Sequence, residues 1–210
     1  MSPDAFVTLL GKEKGSAILR TNDQDKAALA MDAAIRGGFT IVEFTLTIPG
    51  VYDLVRDFSK REGVVVGTGT VMTEEDAQRS VEAGASFLVS PVVDEVVIRA
   101  ATDLGVASMP GCHTPTEMLR AHRVGAELCK LFPAPAGGPI WVKSVLGPMP
   151  FLKIVPTNGV DEHNAAEWIA AGAYAGGFVA PLFPPDDLAK GRWYDIEARA
   201  ARCIKAIQDS

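Results

Sequence analysis

The amino-acid sequence predicts an α/β fold, a single (β/α)8 barrel with a short N-terminal helix, and three observations predict it. Eight apolar, strand-like runs lie at residues 16–20, 40–46, 64–67, 86–90, 106–110, 127–132, 152–156 and 175–179. They recur every ~20–26 residues, the length of one strand–helix unit. No linker, low-complexity tract or second domain interrupts residues 1–210. Eight regular units with no length left over favour closure into a barrel, and an open doubly wound sheet is the other arrangement this alternation allows.

Each element has its own signal. Residues 4–14 carry Phe6, Leu9 and Leu10 at helical spacing, which predicts an amphipathic helix ahead of the first strand. Residues 25–35 place Ala28, Met31 and Ile35 on one stripe and stop at Gly37-Gly38. A helix over 51–60 follows Pro49. Thr73-Glu-Glu-Asp76 reads as a capping box opening a helix that stops at Gly84. The segments 94–103, 115–124 and 162–171 repeat the scheme, the last ending at Gly172.

Bulk properties narrow the function. The chain has 210 residues, 48% hydrophobic and 22% charged, as expected of one soluble domain with a sizeable core. A formal net charge of -6 and a pI near 5.1, with no basic patch, argue against a nucleic-acid partner. Cys112, Cys129 and Cys203 are widely spaced and form no C-x-x-C pair, a pattern of reduced cytoplasmic thiols rather than a disulfide or zinc framework. No signal peptide and no membrane-length apolar run is present, so a cytoplasmic protein without a membrane partner is expected.

In a barrel of this kind chemistry sits at the C-terminal strand ends. The sixth run, Glu127-Leu-Cys-Lys-Leu-Phe132, puts Leu128, Lys130 and Phe132 on one face and Cys129 and Leu131 on the other. An ammonium in so apolar a strand is costly unless it is paired or loses its proton. A desolvated lysine is a nucleophile for ketones, and a lysine snorkelling to solvent is the plainer reading. Glu43, amid Ile41, Val42 and Phe44, tips the balance. It is either Lys130's structural ion partner or the acid/base that moves protons for an iminium at Lys130.

Arg20 ends the first strand, and Thr47 lies two residues beyond the second. Gly67-Thr-Gly-Thr70 lacks a P-loop lysine and is too short for a dinucleotide fingerprint. It is a tight turn or, through Thr70 and backbone N–H groups, a carboxylate cradle. His113, His122 and His163 lack metal-ligand spacing, and Cys112 has no evident base. No metal or other cofactor is expected.

The ordered motifs Ala17-Ile-Leu-Arg20, Val42-Glu-Phe-Thr-Leu46, Gly67-Thr-Gly-Thr-Val71, Pro110-Gly-Cys-His-Thr-Pro-Thr-Glu117 and Cys129-Lys-Leu-Phe-Pro133 resemble the KDPG/KHG aldolases. These are 2-keto-3-deoxy-6-phosphogluconate and 4-hydroxy-2-oxoglutarate aldolases, with the galactonate-type (KDPGal) enzymes as close relatives. The resemblance covers almost the whole chain. It implies a metal-free class I aldolase, usually a homotrimer, that releases pyruvate and an aldehyde from a keto acid. Lys130 then matches the Schiff-base lysine, Glu43 the acid/base, and Thr70 a ligand of the pyruvate carboxylate. Pro110, Gly111, Phe132, Gly159 and Gly177 are the further candidates for substrate contact.

Two departures stand out. Glucose-type members have arginine where this chain has Thr47, whereas Arg20 matches the strand-one arginine of the galactonate branch. Relatives carry Gly-Gly and a Gly-Ser type turn after strands seven and eight, and this chain has Asn158-Gly159 and Val179-Ala180. These changes predict a substrate with no terminal phosphate, or with another polar group such as a carboxylate. Two other functions fit the same residues: a sugar-phosphate isomerase or epimerase with Glu43 as base, and a keto-acid-binding protein without turnover.

Overall fold

A computed structural model describes residues 1–209. Among them eight parallel strands alternate with helices: α1 (Pro3–Glu13), β1 (Gly15–Leu19), α2 (Gln24–Arg36), β2 (Ile41–Thr45), α3 (Val51–Phe58) and β3 (Val65–Gly69) come first. There follow α4 (Glu74–Glu82), β4 (Phe87–Ser90), α5 (Glu95–Asp103), β5 (Ala107–Cys112), α6 (Pro115–Val124) and β6 (Cys129–Leu131). The last third holds α7 (Pro139–Leu146), β7 (Ile154–Pro156), α8 (Ala165–Ala170), β8 (Gly176–Phe178), α9 (Pro185–Lys190) and α10 (Trp193–Gln208). The strand order, β7-β6-β5-β4-β3-β2-β1-β8, is that of a (β/α)8 barrel. Its ends meet at one isolated bridge, Thr157 to Gly177, supported by Tyr174 N–H donating to the Ile154 carbonyl at 2.8 Å.

Alternation divides the core into two. Outward residues such as Val42, Phe44, Cys129 and Leu131 pack under the surrounding helices. Inward residues Ile41, Phe87, Ala107, Leu128 and Ala175 form a second cluster with Phe6, Val7 and Leu10 of α1. Each of these inward residues lies at or just before the start of its strand, so α1 plugs the N-terminal end of the barrel. The ring of Phe6 stacks on that of Phe87 with centroids 4.3 Å apart. Gly67 makes room for this pair, because a Cβ there would meet the Phe87 ring at 2.5 Å.

Local chemistry explains most boundaries. Ser2 caps α1, with Pro3 at its first position and Asp4 in its first turn, where a carboxylate faces the positive helix end. At α4 Thr73 accepts from Asp76 N–H, but Asp76 returns its bond to Met72 N–H rather than to Thr73, so the predicted reciprocal box is only half formed. The full capping box is at α6, between Thr114 and Glu117. The helix expected over 162–171 begins only at Ala165, because Asp161 and Asn164 bond each other's backbone N–H groups in a turn. β3 runs on to Gly69, through glycines that had marked a turn in the sequence. The strands expected over 127–132, 152–156 and 175–179 shrink to three residues each. α7, α9 and α10 complete the ring.

Candidate active site

The C-terminal mouth of the barrel holds an open cavity of about 540 Å³. Its polar wall comes from the strand ends: Arg20, Thr45, Thr70, Lys130, Thr157 and Asn158. Phe132 also lines it, with the Lys130 Nζ 5.3 Å from the centre of its ring. Lys130 is only 8% exposed, so its amine meets solvent through this opening alone. Beneath the floor lies Glu43, fully buried, with Oε1 4.0 Å from Lys130 Nζ. That is beyond hydrogen-bond distance, and neither Glu43 oxygen has a hydrogen-bond partner among the described residues. A structural ion pair in such a place requires close geometry and satisfied lone pairs. Glu43 has neither, so it is not one half of a well-made structural pair.

Burial pushes the Glu43 carboxyl above its ordinary 4.5, and the nearby Lys130 and Arg20 charges pull it only partly back. A carboxyl raised in this way can hold and release a proton closer to neutral pH. Gly69 is what leaves room for it: on the neighbouring strand, paired with Thr45, a Cβ at this position would overlap Glu43 Oε1.

At the rim Arg20 Nη2 donates to Thr70 Oγ1 at 3.1 Å. Thr70 has φ 63, a conformation costly for a β-branched residue and typical of strained functional sites. Asn158, across the mouth, has φ 65. Two non-glycine residues in the left-handed region therefore stand on opposite sides of one cavity.

The structure brings Lys130, Arg20, Thr70 and Phe132 together on the wall, with Glu43 directly behind. Thr47 stands off the wall, exposed, and touches it only through a 2.8 Å hydroxyl contact with Thr45. Pro110 and Gly111 are buried in β5, where Gly111 lets the backbone of Pro91 approach closely. Gly177 makes room for the Thr157 side chain, whose Oγ1 would lie 2.5 Å from a Cβ there, and Gly159 (φ 112) turns the chain after Asn158. Thr45 and Thr157 are the wall residues that sequence reasoning missed. Thr45 was legible, since it shares the inward face of β2 with Glu43. Thr157 lies just past the end of β7 and continues its inward face two residues after Val155.

The remaining candidates fall away from the cavity. His113 is exposed and its Nδ1 lies 3.1 Å from the Pro133 carbonyl, while His122 stacks beside Phe151 on α6. The Cys112 thiol is pushed far above its ordinary range by its hydrogen bond with Cys129 and by burial, so it stays protonated and packs. Among the described residues no helix is long and apolar enough to cross a membrane.

Comparison with known proteins agrees with this geometry. The profile of the KDPG and KHG aldolase family matches residues 9–199. A probable 2-dehydro-3-deoxy-6-phosphogalactonate aldolase of Rhizobium meliloti (strain 1021) is 36% identical, over 90% of this chain and 89% of its own. The 2-dehydro-3-deoxy-phosphogluconate aldolase of Pseudomonas aeruginosa is 33% identical, over 90% and 87%. The solved structure of a native KDPGal protein superposes with a TM-score of 0.82 at 30% identity, covering 93% of this chain and 94% of that one. With eight parallel strands around a lysine-bearing mouth and relatives along almost its whole length, the chain belongs to the KDPG and KHG aldolase family, whose members are lyases.

Proposed function

We propose that the protein is a class I aldolase that reversibly cleaves a 2-keto-3-deoxy sugar acid, phosphorylated or not, or 4-hydroxy-2-oxoglutarate, to pyruvate and an aldehyde. The observation that carries this reading is the pairing of a cavity-facing lysine with a buried, unpartnered carboxylate 4.0 Å behind it. Support comes also from the names of the relatives, which are aldolases of such acids.

Lys130 Nζ attacks the C2 carbonyl carbon, and the oxygen takes a proton to give a carbinolamine. Loss of water leaves an iminium. The C3–C4 bond then breaks, its electron pair flowing into the iminium to form an enamine while the C4 hydroxyl gives up its proton and becomes the aldehyde. Glu43 is the proton carrier for dehydration and for the C4 hydroxyl, through a water, since its carboxylate lies behind the cavity floor. Protonation of the enamine at C3 and hydrolysis release pyruvate and free Lys130. Arg20 and Thr70 hold the substrate carboxylate, which aligns the breaking bond with the π-system of the iminium. A homotrimer in the cytoplasm is the assembly and compartment that this reading carries, consistent with three buried, reduced cysteines.

Borohydride reduction in the presence of pyruvate tests it. The expected result is an irreversible adduct that peptide mapping places on Lys130. An adduct elsewhere overturns the role of Lys130, and no adduct overturns the Schiff-base mechanism and leaves the isomerase reading, which forms no imine.

A further inference from the structure

A second cavity, of about 420 Å³, opens beside the first and shares Ile18, Arg20 and Val179 with it. Those three residues form the border between this side chamber and the Lys130 mouth. The side chamber runs between the β1–α2 and β8–α9 connections. With the keto-acid carboxylate on Arg20 and Thr70 and C2 on Lys130, the far end of a substrate has this chamber open to it past Val179.

The chamber is poorly built for an anion. On its β8–α9 wall Pro185 has no N–H to offer, and neither do Pro181 and Pro184 in the same connection. The N–H groups of Leu182 and Phe183 both turn back onto the Val179 carbonyl, and those of Asp187 and Leu188 onto the Pro184 carbonyl. The first turn of α9 already carries the carboxylates of Asp186 and Asp187. On the opposite wall the N-terminus of α2 is occupied by Asp23, whose side chain accepts from Lys26 N–H. The Lys26 ammonium lies 4.0 Å from that same carboxylate and 3.5 Å from the Ala189 carbonyl. The α2 end, which would attract a phosphate, is thus filled by the chain's own acid. At α9 Asp186 pairs with Lys190, and Asp187 with Arg192 and Arg199, so two carboxylates stand beside that helix end without capping it. The β8–α9 side of the chamber is apolar, made of Ala180, Phe183, Pro185, Leu188 and Ala189, and Thr21 and Asn22 stand on the β1–α2 side.

We propose that this side chamber receives the aldehyde end of the substrate and selects an uncharged substituent with an apolar tail over a phosphorylated one. The inference rests on the aldolase reading above. It names the class of aldehyde that reading leaves open.

The test is aldol addition of pyruvate to acetaldehyde, butanal and glyceraldehyde 3-phosphate, with pyruvate–borohydride trapping run alongside. Butanal should exceed acetaldehyde in kcat/KM by roughly 10- to 20-fold, the worth of burying two further methylene groups. Glyceraldehyde 3-phosphate should fall below butanal. Ala180→Phe and Ala189→Trp, at exposed positions that leave the barrel core untouched, should each bring the butanal-to-acetaldehyde ratio down towards one. A phosphorylated aldehyde favoured more than tenfold over butanal, or a ratio that neither variant moves, overturns the chamber assignment. If trapping labels Lys130 in that case, the aldolase reading survives. Failure to trap pyruvate in the unmodified enzyme overturns both.

Discussion

Glu43 carries the sharpest single-residue expectation. Its carboxyl lies above 4.5 because burial outweighs the attraction of Lys130 and Arg20. If its ionised form accepts the proton, the acid limb of kcat against pH lies above the ordinary carboxylate range. Glu43→Gln keeps the shape but cannot ionise, so kcat should fall on the order of 10²–10⁴-fold and that limb should vanish. The stability effect has a definite sign. A raised folded-state value means that the folded protein binds this proton more tightly than the unfolded chain does. The contribution is therefore complete below 4.5 and is lost as pH rises through the raised value. Thermal scans from about pH 5 to about pH 8 should show Glu43→Gln gaining on the parent protein as pH rises. A constant difference would mean that Glu43 is not held in its protonated form by burial. The pairing of Glu43 with Lys130 was legible because both charges interrupt apolar runs. The distance between them and the orphaned oxygens were not, since these depend on how far opposite strands stand across the barrel.

Among the elements, β3 does its work through what it lacks. Gly69 reads in the sequence as part of a turn, yet it is the last residue of a strand, and its missing side chain is the space that Glu43 Oε1 fills. Gly69→Ala should displace that carboxylate and lower kcat on the order of 10²-fold, as ångström-scale misplacement of a catalytic group does. Pyruvate trapping at Lys130 should persist, and steady-state kinetics beside the trapping assay check both points. An unchanged kcat would show that Glu43 has another place to go without penalty. Strand and helix existence was legible wherever apolar periodicity spans several turns, as in α2 and α6. Boundaries failed where the deciding groups were single side-chain bonds, as with Asp161 and Asn164 ahead of α8. The short strands β6, β7 and β8 were overdrawn because burial extends beyond pairing: Leu128 and Ala175 point inward without belonging to a strand.

For the molecule as a whole, the regular spacing of eight apolar runs was enough to state the fold, since closure is the arrangement that pairs every strand on both sides. The role of the first helix was not legible, because nothing local says which end of a barrel an amphipathic helix covers. The two ends of the barrel differ in role, since α1 and Phe6 seal one and Lys130 opens into the other. Phe6→Ala should cost about 3–5 kcal/mol, with a fall of roughly 6–20 °C in the melting midpoint. Its kcat/KM at room temperature should stay close to that of the parent protein, and calorimetry beside kinetics distinguishes the two effects. A large kinetic loss would mean that the plug also shapes the mouth.

A hoop yields first at its join. β2 and β3 pair at five successive positions, whereas β7 and β8 meet at the Thr157–Gly177 bridge and the Tyr174–Ile154 bond. Widening the ring by a given amount costs little work at a join held by so few bonds. Thr157 and Asn158 stand on one side of it and Val179 on the other. A guest too bulky for the mouth is therefore expected to part the wall here first, so that the ease of admission follows from how the wall is closed as well as from the loops above it.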